Sequence, residues 1–172
     1  MSIDILSLLS QLVAIDSVNP DLVPGGAGEG AIARFIADWA EKAGLETHLE
    51  EAAPGRPNVI VIARGTGGGR SLMLNGHMDT VGVAGMSAPH APRIAEGRLY
   101  GRGAYDMKAS LAACMAAVAE AKTLNLRGDV IFTAVADEEY ASLGTQSVVR
   151  NWRADAAIVT EPTGLRICGA HK

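Results

Sequence analysis

Cysteine is nearly absent from this chain: only Cys114 and Cys168 occur in 172 residues. Cys114 falls in an apolar helical pattern and Cys168 in a short strand-like run, so both read as small buried hydrophobes, not as a disulfide pair or metal ligands. That excludes a disulfide-stapled scaffold and fits a reducing, cytoplasmic setting. No apolar run approaches the ~20 residues of a membrane span. The N-terminus lacks a basic segment and Asp4 interrupts its apolar stretch, so no signal peptide is expected. No cluster of Lys or Arg offsets the net charge of −4, which argues against a nucleic-acid partner. Internal repeats, low-complexity tracts and linkers are also missing. Even the glycine run Gly65-Thr66-Gly67-Gly68-Gly69 lacks the Lys-Ser/Thr and the helix that follow a phosphate-binding loop.

What is present is a globular composition, 48% hydrophobic and 20% charged. A chain of this length forms one domain that buries about 70% of its unfolded surface. Ile5, Leu8, Leu9 and Leu12 recur at helical spacing within 2–16, and Ile32, Phe35, Ile36, Trp39 and Ala43 form a second stripe that Gly44 is placed to end. Leu45–Glu50 alternates like an edge strand. Asn58–Ala63 and Leu72–Asn75 are strand-like, and the short glycine-rich link between them predicts an antiparallel hairpin. Val81–Arg98 reads as a loop. Leu111, Cys114, Met115 and Val118 predict a helix over Ala109–Lys122, with Asp106 at or just before its start. Asp129–Ala136 and Ala156–Thr160 are apolar strands flanking a helix over Leu143–Arg150. Arg166–Cys168 begins a further strand-like run.

The acids fall in a pattern. Leu72–Asn75, Val130–Ala136 and Ala156–Thr160 are the most apolar strands, and each stops at a side chain able to bind metal: His77, Glu138-Glu139 and Glu161. Helices alternating with such strands imply an α/β fold with a largely parallel core, which brings those ends to one edge. Along extended chain His77 and Asp79 point the same way, so Asp79 can hold one ring nitrogen while the other is aimed at a metal. Gathered carboxylates repel unless a cation neutralises them. One His plus carboxylates suits zinc, with cobalt or manganese as alternatives. Taken singly, each residue has a plainer reading: His77 as a loop hydrogen-bonder, Asp106 as a helix cap, Glu138-Glu139 as a solvated turn, Glu161 as a strand end.

Ser17-Val18-Asn19-Pro20, Gly76-His77-Met78-Asp79-Thr80-Val81, Gly101-Arg102-Gly103-Ala104-Tyr105-Asp106-Met107-Lys108, Asp137-Glu138-Glu139 with Gly144-Thr145, and Glu161-Pro162-Thr163 occur in this order. In them the chain resembles the two-zinc hydrolases that include acetylornithine deacetylase, succinyl-diaminopimelate desuccinylase and carboxypeptidase G. The resemblance implies an α/β three-layer sandwich, a mostly parallel mixed central sheet with helices on both faces, incomplete at one side through truncation. It implies that His77 and Glu161 bind one zinc, that Asp106 bridges two, that Glu139 binds the second, that Asp79 orients His77 and that Glu138 is the general base. It also implies a cis peptide at Asp106–Met107. The expected reaction is hydrolysis of an N-acyl or peptide amide bond in a small carboxylate-bearing substrate, an N-acyl amino acid or dipeptide-like molecule.

Residues 1–172 would then be the N-terminal part of the catalytic domain. An inserted lid domain, through which full-length relatives form homodimers, and a C-terminal return segment with a final His ligand are absent. The second zinc is left with Asp106 and Glu139 alone, below the three protein ligands usual for catalytic zinc, so the isolated chain is expected to be poorly active. The competing reading is a non-catalytic fragment or divergent relative that binds one metal, or a partner chain, through an exposed sheet edge. Ala109-Ser110 replaces the family's Gly-Gly. The loop Met86–Arg93 offers Met86 and His90 where the family has Trp and Phe. His90 is expected to be a solvent-exposed loop residue, His48 an exposed strand residue, and His171 a domain-junction residue, not a ligand.

Overall fold

The computed structural model describes residues 3–164 and Arg166. Cys168, His171 and all but the first residue of the Arg166–Cys168 run lie outside the described residues. Helix α1 (Ile5–Val13) starts where the Asp4 carboxylate accepts the Ser7 N–H at 3.1 Å, satisfying a donor that the first turn leaves open. Helix α2 (Gly30–Lys42) buries Ile32, Ala33, Ile36, Ala37 and Ala40, and Gly44 just beyond it has φ +69°. Strand β1 (Glu46–Ala53) turns through Pro54-Gly55 into β2 (Arg56–Ala63), which is buried along its length. Then come β3 (Leu72–His77), a small hairpin of β4 (Arg93–Ala95) and β5 (Arg98–Tyr100), and α3 (Ala109–Ala121). Strand β6 (Val130–Val135), α4 (Leu143–Asn151) and β7 (Ala156–Val159) complete it. The β4–β5 hairpin lies in a stretch that, without an apolar alternation, reads as loop.

The main sheet has the order β1-β2-β6-β3-β7. Strands β1–β2 and β2–β6 are antiparallel, whereas β6–β3 and β3–β7 are parallel. Period-two alternation divides the side chains between two faces. Val59, Val61, Leu74, Phe132 and Ala134 pack under α1, α2 and α3 with Leu12, Ile36, Leu111 and Met115. Ile60, Ile62, Met73, Ile131 and Val135 pack on the other side with Val148 of α4 and with Trp152. The fold is an α/β sandwich with helices on both faces. Each buried Leu- or Ile-sized side chain stabilises it by roughly 1.5–3 kcal/mol.

The hairpin predicted between β2 and β3 does not form. The two strands do run in opposite directions, but β6 lies between them. The link 64–71 pairs with the segment entering β6 instead of with itself: Thr66 N–H donates to Leu126 O at 2.8 Å, Gly67 N–H to Arg127 O at 2.9 Å and Leu72 N–H to Asp129 O at 2.9 Å. Central β6, apolar on both faces, takes β2 on one edge and β3 on the other. The glycine run serves this crossing. A Cβ on Gly65 would lie 2.6 Å from Arg127 O, and one on Gly69 2.5 Å from Gly128 N. Glycine there allows two main chains to touch.

Candidate metal centre

Three parallel strands end side by side, and their last residues set the site. His77 ends β3 at 1% exposure. Its Nδ1 lies 2.9 Å from the Asp79 main-chain O and 3.5 Å from Asp79 Oδ1. A carbonyl oxygen can only accept, so Nδ1 carries hydrogen, and Nε2 is the nitrogen presented to the acids. Around Nε2 stand Asp106 Oδ1 at 3.1 Å, Glu161 Oε1 at 3.5 Å and Glu138 Oε2 at 4.0 Å. Ligand-capable atoms of His77, Asp106 and Glu139 all lie within 4.8 Å of one another, as do those of His77, Glu138 and Glu161. The four expected ligands His77, Asp106, Glu139 and Glu161 and the expected base Glu138 are thus brought together, with Asp79 behind them.

Asp106 belongs to the turn 104–108, not to α3. Its backbone is extended (φ −118°, ψ 100°), the Asp106–Met107 peptide is cis, and Lys108 is the N-cap residue, without a side-chain cap bond. The helix-cap reading of Asp106 is therefore wrong; the chain turns its carboxylate towards His77 instead. Next to it, Met107 is buried, and its sulfur accepts the His77 N–H at 3.1 Å. Glu138 and Glu139 sit on a turn opened by Asp137 at φ +63°. Their N–H groups donate to Asp79 Oδ1 (3.0 Å) and Oδ2 (3.1 Å). Glu138, with a side chain 30% exposed, and half-buried Glu139 are drawn in towards His77, against the solvated-turn reading. Glu161 follows β7, where Thr160 N–H continues the ladder to Asn75 O at 2.9 Å.

Burial opposes charge on His77, yet the carboxylates of Asp106, Asp79 and Glu161 outweigh it and lift its pKa to about 11. Burial also pushes the Asp79 carboxyl up, but His77, the Asn19 amide and the Glu138 N–H more than reverse this, and its pKa is lowered. Glu139 moves the other way. Burial, with repulsion from Asp106, Asp79 and Glu138, raises its pKa against the pull of His77.

Apart from Asp79, sequence reasoning missed the layer behind the site. Asn19, Glu29, Arg56, Asp79 and Asp137 are all buried, Arg56 at 7% and the rest at 0%. Asn19 and Asp137 lay inside the quoted motifs with no role given. Glu29 and Arg56 lay outside them; the available signal was a guanidinium at the head of an otherwise apolar strand. His90 departs from expectation. Its side chain is only 21% exposed and lies 3.5 Å from Asp16, because the loop carrying it folds back until Arg102 N–H reaches Pro89 O at 2.8 Å. His48 is 41% exposed and bonds Glu46 at 2.9 Å. Cys114 is buried, as expected. No helix among the described residues is long and apolar enough to cross a membrane.

Known proteins resemble this chain in sequence and fold. A succinyl-diaminopimelate desuccinylase of Leptothrix cholodnii is 36% identical over 98% of this chain and 46% of its own length. A deformylase of N-formyl-4-amino-5-aminomethyl-2-methylpyrimidine from Halalkalibacterium halodurans is 33% identical over 96% and 40%. An acetylornithine deacetylase of Aliivibrio fischeri is 30% identical over 94% and 44%. The chain therefore spans less than half the length of these relatives. Among solved structures, an M20 family metallo-carboxypeptidase from Sulfolobus solfataricus superposes with a TM-score of 0.77 at 24% identity, covering 91% of this chain and 37% of that one. Human carnosine dipeptidase 1 gives 0.75 at 20% identity, covering 92% and 38%; these two likenesses establish the fold. The profile of peptidase family M20/M25/M40 matches residues 73–170, more than half of the sequence, and the chain belongs to that family.

Proposed function

We propose that the chain forms the metal-binding part of a zinc-dependent hydrolase that cleaves an N-acyl or peptide amide bond in a small carboxylate-bearing substrate. The observation that carries this is the pair of ligand sets sharing His77, one with Asp106 and Glu139, the other with Glu138 and Glu161. The donor set fits the ion: one neutral-capable imidazole with its far nitrogen already bonded, plus several oxygens and no thiolate. In the proposed assignment His77 and Glu161 would hold one zinc, Glu139 would hold the other, and Asp106 would be shared between the two. Zinc, when bound, polarises the amide carbonyl and makes its water a better nucleophile. Glu138, beside the ligands, takes the proton of the attacking water and returns it to the leaving amine. Asp79 keeps the imidazole tautomer and, through two N–H groups, fixes the Glu138–Glu139 turn.

The names of the three relatives describe removal of succinyl, formyl and acetyl groups; removal of a small acyl group is the common denominator we assign. With Asp106 and Glu139 alone the second zinc is one protein ligand short. We assign the missing ligand to a return segment of the catalytic domain outside these residues, and dimerisation to an inserted lid domain. We place the enzyme in the cytoplasm. Metal analysis coupled to hydrolysis assays on N-acetylornithine, N-succinyl-diaminopimelate and a formylated amine tests the proposal. Two zinc ions per chain support it, with turnover expected to be weak in this chain because the second zinc lacks a third protein ligand. One ion or none, without turnover, favours the non-catalytic reading, for which the outward Ile158 (51% exposed) and Val159 (62%) on edge strand β7 offer a docking surface.

A further inference from the structure

Behind the acids that face His77, Arg56 makes contacts that the proposed chemistry does not use. We infer that Arg56 is a positioning residue for Glu138 and Glu139, acting through Asp137, Asn19 and Asp79. The inference rests on the metal-site reading for its consequence, but its geometry stands independently. Arg56 Nε and Nη2 grip the two oxygens of Glu29, each at 2.8 Å, in a planar fork. Its Nη2 also reaches Asp137 Oδ1 at 3.0 Å, and Nη1 bonds Asp21. The same Asp137 oxygen accepts Asn19 Nδ2 at 3.0 Å, and that amide donates to Asp79 Oδ2 at 2.7 Å. Asp79 in turn holds the N–H groups of Glu138 and Glu139. A bonded path therefore runs from the head of β2 to the main chain of both acids.

Charge explains why the path needs a guanidinium. Glu29 and Asp137 are both at 0% exposure, and the Asp137 N–H donates to Glu29 Oε1 at 3.1 Å, so the two carboxylates are held close. Arg56 is the cation that both touch. Its pKa is raised, first by the Glu29 hydrogen bonds, so it stays charged throughout. Removing it leaves two buried like charges at the residue that starts the Glu138–Glu139 turn. A lysine would restore the charge but not the fork that binds Glu29 and Asp137 together.

The test uses the full chain with Arg56→Lys, Arg56→Met and Glu29→Gln. Three quantities are read: zinc affinity, the visible spectrum of the cobalt-loaded protein, and metal-free amide exchange at Glu138 and Glu139. Arg56→Lys is expected to keep the native circular dichroism, to weaken zinc binding by roughly 10–100-fold and to shift the cobalt bands. Exchange at the two amides should quicken while core amides of α3 keep their protection. Glu29→Gln should act in the same direction and less strongly, and it carries the test if Arg56→Met does not fold. A folded Arg56→Lys with zinc affinity within twofold of wild type, unmoved cobalt bands and unchanged exchange would overturn the inference while leaving the metal site intact. Wild-type protein that binds no zinc would overturn the metal-site reading, and the exchange measurement would still decide whether Arg56 positions the turn.

Discussion

Two layers of acids meet at the Asp79 carboxylate, and they are treated in opposite ways. The inner layer, Glu29, Asp79 and Asp137, is sealed from solvent and meets N–H groups: the Arg56 fork, the Asn19 amide and the main chain of 137–139. The outer layer, Asp106, Glu138, Glu139 and Glu161, crowds around one imidazole and keeps partial access to water. Buried acids supplied with donors hold a shape, whereas acids pressed together around a single titratable ring create demand for positive charge. The inner layer therefore belongs to the scaffold, and we assign the outer one to chemistry.

Mutation can break that division. The largest effect is expected from His77→Ala, which removes the residue common to both ligand sets; zinc should no longer co-purify and hydrolysis should be lost, checked by metal analysis and a deacylation assay. Glu138→Gln should lower kcat by about 10²–10⁴ while leaving zinc content intact, a split that equilibrium metal binding and steady-state kinetics together resolve. Asp79→Asn reaches both layers and should weaken zinc binding by about 10–100-fold. Zinc binding after that change as tight as in wild type would dissolve the distinction between the layers.

Stability sharpens the comparison. Leu111→Ala, in the core beneath α3, should cost about 2–5 kcal/mol in denaturant titrations. In metal-free protein the outer layer should show itself through pH. A histidine whose pKa rises to about 11 on folding stabilises fully below its unfolded value near 6.5 and loses that contribution as pH climbs. Buried Lys108, lowered to about 8, adds an opposing slope from there upward. Between pH 6.5 and 8 the metal-free chain should therefore lose about 1–2 kcal/mol, and His77→Ala should flatten the curve. Zinc should abolish the slope in wild type, since a ligating ring no longer takes the proton. The smallest effect is expected at Arg64, 57% exposed and paired with Glu46 and Asp129. Arg64→Ala should change stability by about 0–1 kcal/mol.

The outer layer was legible in the sequence because each of its members sits where an apolar run stops or a helix approaches. Such boundaries are visible as local changes of composition. The three parallel strands could be read for the same reason. Of the inner layer only Asp79 was legible: Glu29 and Arg56 lie far apart in the chain, and nothing local says that they meet. The order of strands was misread at Gly65–Gly69, where a short link between two strands favours a hairpin by length alone. The pairing of both strands with β6 instead is a long-range contact that link length does not reveal. The β4–β5 hairpin escaped notice because strands so short and so exposed carry no hydrophobic period.

The crossing of the glycine run over 127–128 has a further consequence. It fixes the phase of β3 against β6, with Leu72 opposite Val130 and His77 opposite Val135. A slide of one residue would reverse the face taken by every side chain of β3, and the imidazole would leave its acids. A bulky substitution at Gly69 is thus a change to the active end of the strand made from its far end, at a place where no catalytic group is found.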